Sequence, residues 1–468
     1  MTRNLRRLER KPLIRAVRKL PTNGIFLCAV FCILLQFFMT NNVVRAVAGH
    51  DVNIRFHPAN IIMVFCAAYA LARGPIPIHQ RFRNSPGLML FVCAIPVFAF
   101  YTAYFNGTSG AAFYFDSFWG PGLLAVALEG ATSKQKRQLG NILLALVLMN
   151  VLFGLYESLT QNNVFPFVAN DDVTDAQIHA TEDFRANAFY PHPLTASLIT
   201  SMAFFLLYAM QPRLAVLAPT FLLLLVGLLA FGGRAALFIT VGASGLAAFW
   251  VVMSGIIKRT LKLETVTYIL IALVLLPLVV GFIVTQTSIA DRITDTLYFD
   301  DSAEVRVTQW AVLNYLTLKN WLFGLPLSDL AALKYQIGLN EVEDIENFWL
   351  LLFLNLGAIG FAAFLSVFGA FLVYIARYGG GMYGWMLMVS ALIIDSGSNS
   401  LGQKTNDLVI EVAFLMAMSG YKNYVRQRAS QQVWRLPLRL GISARGQHEP
   451  RRVPPGPGRG LRPLRRVT

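Results

Sequence analysis

Residues 347–376, NFWLLLFLNLGAIGFAAFLSVFGAFLVYIA, run for 30 positions without a charged side chain. A helix needs only about 20 apolar residues to cross a bilayer, so this stretch reads as a membrane span. Comparable runs recur from residue 22 to residue 421 of the 468-residue chain, at about 22–40, 58–73, 87–105, 112–129, 139–157, 192–210, 213–231, 234–253, 266–286, 382–395 and 407–421. With 56% hydrophobic and 14% charged residues against about 25% charged in an ordinary soluble protein, a water-soluble enzyme is excluded. The pattern predicts an all-α, polytopic integral membrane protein of about 12 transmembrane helices.

The placement of the 40 Lys and Arg residues orients the spans. If twelve spans alternate, 31 of the 40 fall on the side of the amino terminus and 9 on the other. That is the bias expected of a cytoplasmic face, so both termini are expected inside. The same asymmetry accounts for the net charge of +15 without a nucleic-acid partner. The domain plan is a basic cytoplasmic segment 1–21, a transmembrane domain 22–421, and a basic cytoplasmic tail 422–468. The tail carries a Pro, Gly and Arg run that cannot bury a core and is placed to touch anionic membrane lipids. The first apolar run is long, lacks a small-residue cleavage pattern and follows a basic leader, so it reads as a span and not as a cleaved signal. Cys28, Cys32, Cys66 and Cys93 all lie in apolar runs and imply neither a disulfide nor a zinc site.

Three external segments are substantial: 41–57, 158–191 and 287–346. The last is acidic, with helical apolar spacing near Trp310 to Leu330, and predicts one or two interfacial helices over the membrane mouth. Candidate chemistry concentrates on this side. Arg185 stands in Phe184-Arg185-Ala186-Asn187-Ala188-Phe189-Tyr190-Pro191-His192-Pro193-Leu194. Pro191 and Pro193 suit a helix start, whose free N–H groups make an anion site beside the arginine. A snorkelling interface anchor is the other reading of Arg185. Arg234 follows Gly232 and Gly233 in a tight turn between two apolar runs, where a planar guanidinium fork suits phosphate oxygens. A structural pair with Glu411 or Asp116 is its alternative. Arg306 and Trp310 share a face if helical. Glu346 and Asn347 begin the span quoted above, and a partly buried Glu346 is suited to act as a general base. No phosphate-binding loop, dinucleotide fingerprint or metal-type His and Cys spacing is present, so no cofactor is implied.

Taken in order, these segments resemble the O-antigen ligase and O-antigen polymerase (Wzy-type) superfamily of bacterial envelope glycosyltransferases. Arg185 to Leu194 looks like the family's arginine, aromatic and His-Pro entry to a span, and Gly232-Gly233-Arg234 like its Gly-Arg turn. Arg306, Trp310 and Phe323-Gly324 resemble the arginine, tryptophan and glycine of the large external loop. Asn347 followed by Leu356-Gly357-Ala358-Ile359-Gly360 resembles the family's asparagine and Gly-x-x-Gly span. The ligases carry a histidine immediately before the asparagine, and here Glu346 stands there, which favours a repeat-unit polymerase.

The resemblance implies a GT-C-like membrane enzyme in the bacterial inner membrane with its active site facing the periplasm. It implies a metal-independent, inverting transfer between undecaprenyl-pyrophosphate-linked donor and acceptor oligosaccharides, building exopolysaccharide or O-antigen. Arg185, Arg234 and Glu346 are the expected catalytic residues, and His192, Arg306, Trp310 and Asn347 the expected substrate contacts. A chain-length regulator and a flippase are the expected protein partners. Ligase-type transfer of finished glycan, or lipid-linked glycan transport, are the rival readings.

Overall fold

The computed structural model describes residues 23–40, 43–44, 47, 56–165, 184–257, 267, 281, 309–336, 345, 347–396 and 406–435. Arg306, Glu346, most of the expected span at 266–286, and the segments 1–22 and 436–468 lie outside the described residues. No strand occurs among the described residues. The helices are α1 Asn23–Phe38, α2 Pro58–Arg73, α3 Ile78–Asn84, α4 Pro86–Tyr114, α5 Gly120–Glu129, α6 Ser133–Thr160, α7 Pro193–Met210, α8 Leu214–Ala230 and α9 Arg234–Ile257. The series continues with α10 Leu318–Phe323, α11 Leu327–Gln336, α12 Phe348–Tyr378, α13 Met382–Ser396 and α14 Asp407–Arg435.

Six helical segments are long and apolar enough to cross a membrane, or seven if the pair α2 and α3, bent by 100°, counts as one. They include Pro86–Tyr104 and Gly110–Glu129, the two arms of a hairpin, and α1, α8 and α13 are shorter apolar helices. Among the described residues, helices stand at the other eleven expected positions, but those long and apolar enough to cross a membrane number six or seven. Three of the expected spans are apolar helices of 10–17 residues, below the number that covers a full hydrocarbon core without tilt or thinning.

The contact unit 1–425 has an interior built around the first turns of α14. Residues Leu408 to Met418 of this helix are buried without interruption, the all-round apolar pattern of a helix with neighbours on every side. Small residues set the spacing. A Cβ on Gly420 would fall 2.8 Å from Lys136 Cβ, and one on Gly140 would fall 2.8 Å from the Tyr421 hydroxyl, so α6 and α14 approach at backbone distance. Phe91 of α4 stacks on Phe371 of α12 with centroids 4.1 Å apart. The second unit, 426–468, contributes the end of α14 to the description.

Ends and breaks of helices follow local chemistry. Thr132 and Gln135 form a reciprocal capping box that starts α6. Between α4 and α5 a π-turn, Phe115–Trp119, carries the fully buried Asp116. Its carboxylate accepts the His57 backbone N–H at 3.0 Å and the Asn60 side-chain amide at 2.9 Å. Gln36 in turn donates to Asn60 at 2.7 Å, so α1, α2 and the π-turn are joined at one end of the bundle. That end, where α1, α6, α8 and α13 finish and α2, α7, α9 and α14 begin, is called the loop end below. The opposite end, carrying Arg81, Lys136 and Arg137, is the basic end.

Candidate functional site

Residues 184–190 form an irregular strap that leads into α7 at the loop end. Glu157, fully buried near the end of α6, accepts backbone N–H groups from Val164 at 2.8 Å, Asn187 at 2.9 Å and Ala188 at 2.7 Å. One carboxylate thus satisfies three donors that would otherwise be buried without partners, which fixes the path of the strap. Asn150 of α6 adds a bond to the Phe189 N–H at 3.3 Å, and the Thr40 hydroxyl donates to the Phe189 carbonyl at 2.5 Å. Phe189 itself is set among the rings of Phe37, Phe38, Phe153 and Phe165. Ala188 is held at φ 51°, a left-handed conformation costly for a residue with a Cβ, maintained by the bonds on either side of it.

Arg185 stands on this strap, half-buried, with its Nε buried and without a hydrogen-bond partner. Five residues later Tyr190 is buried with an unpartnered hydroxyl. His192 then caps α7, its Nδ1 accepting the Leu194 N–H at 3.2 Å, and Pro193 takes the first helical position. The His192 ring is exposed, yet the protein mass around it lowers its pKa to about 4 by desolvation.

Arg234 is the first residue of α9 and is also half-buried. The turn before it requires glycine twice: Gly232 sits at φ 65°, and a Cβ on Gly233 would fall 2.2 Å from the Ser197 hydroxyl of α7. Arg185 and Arg234 therefore belong to the same end of the bundle, on the approach to α7 and on the helix packed against its first turns. Of the alternative partners considered for Arg234, Asp116 accepts from the His57 N–H and the Asn60 amide, and Glu411 is buried in α14.

The external loop supplies a second group of candidates. Its described residues contain a 3-10 turn, Gln309–Tyr315, followed by the two short helices α10 and α11. Trp310 is 48% exposed on the first of them. Asn347 caps α12, its side-chain oxygen accepting the Leu350 N–H at 3.0 Å, so its carbonyl oxygen already has a structural task. Two glycines singled out by the sequence, Gly324 and Gly357, lie back to back. Gly357 interrupts α12 at φ 64°, ψ 175°, and a Cβ there would fall 2.4 Å from the Gly324 nitrogen. Leu325 donates its N–H to the Leu354 carbonyl at 2.9 Å across this contact, and the Tyr101 hydroxyl donates to the Phe323 carbonyl. The loop is thereby seated in the break of a discontinuous helix, a geometry that frees backbone polar groups only where protein covers them.

Arg185, His192, Arg234 and Asn347 all stand at helix starts or approaches of the loop end, and Trp310 on the loop; Arg306 and Glu346 lie outside the described residues. Reading residues in sequence missed the part played by Glu157. Its signal was available, since it is the single charged residue of the apolar run 139–157, and an ionisable group there is costly unless it has a task. No protein-family profile matches the chain, and no curated protein is significantly similar to it.

Proposed function

We propose that the protein is a membrane glycosyltransferase that polymerises undecaprenyl-pyrophosphate-linked repeat units into exopolysaccharide or O-antigen. In this reading twelve spans hold both termini in the cytoplasm, and the loop end faces the periplasm across the bacterial inner membrane. The observation that carries it is the strap: Glu157 clamps a backbone whose Arg185 keeps a buried, unpartnered Nε beside the start of α7. A buried donor left unsatisfied in the resting protein costs stability, and an anionic ligand is the natural partner for it.

In the proposed reaction an acceptor hydroxyl attacks the anomeric carbon of the donor sugar. The new glycosidic C–O bond forms as the bond to pyrophosphate breaks, and the electron pair leaves with the lipid pyrophosphate. Arg185 and Arg234 stabilise the charge that develops there, and the acceptor proton passes to a base, for which Glu346 is the candidate. Preorganised cations at a low-dielectric mouth stabilise such charge better than water does. The ionisable residues Glu157, Asp395, Asp407 and Glu411 lie in the terminal turns of their helices at the loop end, whereas a transporter concentrates such groups near the midplane.

Removing one pyrophosphate contact costs about 3 kcal/mol in the transition state, about a hundredfold in rate. Arg185→Ala and Arg234→Ala, expressed in a producing strain, should accumulate single lipid-linked repeats while the protein still inserts. Polymer of normal yield and length from both variants rejects the proposal. Accumulation of free long chains would instead indicate ligase-type transfer.

A further inference from the structure

The basic end carries a surface that the transfer chemistry does not use. There α2 runs along the bundle beside α5: a Cβ on Gly120 would meet the Asn60 side chain, and one on Gly130 would meet Pro75. After Arg73 the chain passes through Gly74-Pro75-Ile76-Pro77, whose two prolines do not continue a helix. The next helix, α3, leaves at 100° to α2. Since α2 follows the direction of the spans, α3 lies across it, in the plane of the membrane surface. The span Pro86–Tyr104 begins directly after Ser85, which sets α3 at the level where that span enters the bilayer.

Arg81 fixes the rotation of α3 about its own axis. It is buried, donates to Glu129 and to the Val126 carbonyl of α5, and its Nε donates to the Ile76 carbonyl at 3.3 Å. Ser85, which follows α3, donates to the same carboxylate. With that side turned to the bundle, the helical repeat puts Ile78 and Phe82 on an adjacent side, one turn apart and 49% and 50% exposed. Gln80 and Asn84 fall on the side opposite to them, and His79 and Arg83 on the flank turned away from the bundle; all four are exposed. The seven residues of α3 thus present a clasped, an apolar, a polar and a basic side. Its apolar side is continuous with exposed apolar strips on the neighbouring spans, Phe65 and Tyr69 on α2 and Leu90 and Val97 on α4.

We propose that α3 is an in-plane docking helix for anionic phospholipid in the leaflet at the basic end. Ile78 and Phe82 sit among the acyl chains just below the headgroups, and Arg83, with His79, lies against the phosphates. In-plane amphipathic helices bind by apolar burial together with attraction to anionic headgroups. Arg73, exposed at the end of α2, adds to the same field. The clasp of Arg81 and Glu129 then has a task beyond stability, since it sets which side of α3 meets the lipid. This surface is independent of the strap and of glycosyl transfer.

Brominated-lipid quenching tests this on the full-length protein in vesicles of phosphatidylcholine and phosphatidylglycerol. Phe82→Trp adds one indole, whose emission is the difference from the wild type measured alongside. That emission should be quenched by brominated acyl chains and protected from aqueous acrylamide. Brominated phosphatidylglycerol should quench it more than brominated phosphatidylcholine at equal mole fraction, with a local enrichment of about fivefold for one basic residue at the surface. Adding Arg83→Gln should level the two lipids, and Gln80→Trp, on the opposite side, should respond to acrylamide instead. Quenching of the Phe82→Trp protein by acrylamide and not by brominated chains overturns the proposal, as does equal quenching by the two lipids. Should Phe82→Trp fail to fold, Ile78→Trp on the same side carries the test. Since no readout involves glycan, the result is separate from the fate of the transferase proposal.

Discussion

At the basic end of the bundle the buried Arg81 donates to Glu129 at 2.8 Å and to the Val126 carbonyl at 2.8 Å, whereas at the loop end Arg185 keeps its Nε buried with no partner. The contrast extends to their neighbours. Around Glu129, Ser85 and Tyr374 donate to the carboxylate, Tyr378 donates to its backbone carbonyl at 2.9 Å, and Lys136 donates to Tyr378 at 2.5 Å. On the strap and on α6 beside it, Asn187 Oδ1, Tyr190 OH and Asn150 Nδ2 are buried and unsatisfied. Buried polar groups that only hold structure close their hydrogen bonds on one another, because each orphan costs about 1–3 kcal/mol. In the reading proposed above, a bound partner would recover that cost at the loop end.

This comparison can be broken at its stronger side first. Arg81→Leu leaves Glu129 buried without its cation and should cost about 3–5 kcal/mol in unfolding measured in mild detergent. A loss below about 1 kcal/mol would mean that the basic end is not the structural clasp described here. Arg185, whose Nε has no bond to lose, should by contrast change stability little on truncation to alanine, while in the proposed reaction transfer slows about a hundredfold.

Next comes the loop seat. Gly357→Ala should cost about 1–3 kcal/mol for the strained backbone alone, more once the Cβ meets Gly324. Gly360→Ala, in regular helix with its Cβ 3.0 Å from Leu356 Cβ, is the control. The two glycines of one sequence pattern are thus distinguishable by melting the paired variants, and equal midpoints would remove the claim that the loop is seated by Gly357.

Glu157→Gln sharpens the comparison within the loop end. It replaces a carboxylate that accepts from three backbone donors with an amide that presents N–H groups to some of them, a loss of about 1–3 kcal/mol. In the proposed enzyme the turnover should fall while Arg185 remains in place, because the strap loses its fixed path. Unchanged turnover in a variant that has lost stability would make Glu157 structural only.

The smallest effect concerns His192. Its pKa is lowered to about 4 from an unfolded value of about 6.5. The unfolded chain therefore binds the extra proton between these values, and the stabilisation is complete above the upper one and declines as pH falls towards the lower. Exposure of the ring keeps the amplitude small. His192→Gln should flatten that part of the stability profile, and an unchanged profile would show that the ring is not desolvated in the folded protein.

Much of this arrangement was legible from residue order. The charge-free run at 347–376, the glycine pair before Arg234 and the proline at the start of α7 each announce a local structure. The clasp of Arg81 and Glu129, 48 positions apart, does not. Nor does the reach of Glu157 across 30 positions to Asn187, because the apolar run containing it predicts a span whichever way its carboxylate turns. Asn347 was singled out only by an expected resemblance, and its capping bond to the Leu350 N–H is what the structure adds.

What the sequence determined by itself is an apolar helical chain with basic connections gathered on one side. Hydropathy and charge bias are sums over neighbouring residues, and a bilayer reads them without reference to the rest of the fold. Which polar groups are closed and which are left open was decided only by tertiary structure. A hydrogen bond needs its partner within about 3 Å, and Gly324 meets Gly357 and Thr195 meets Asp407 only once the helices have packed.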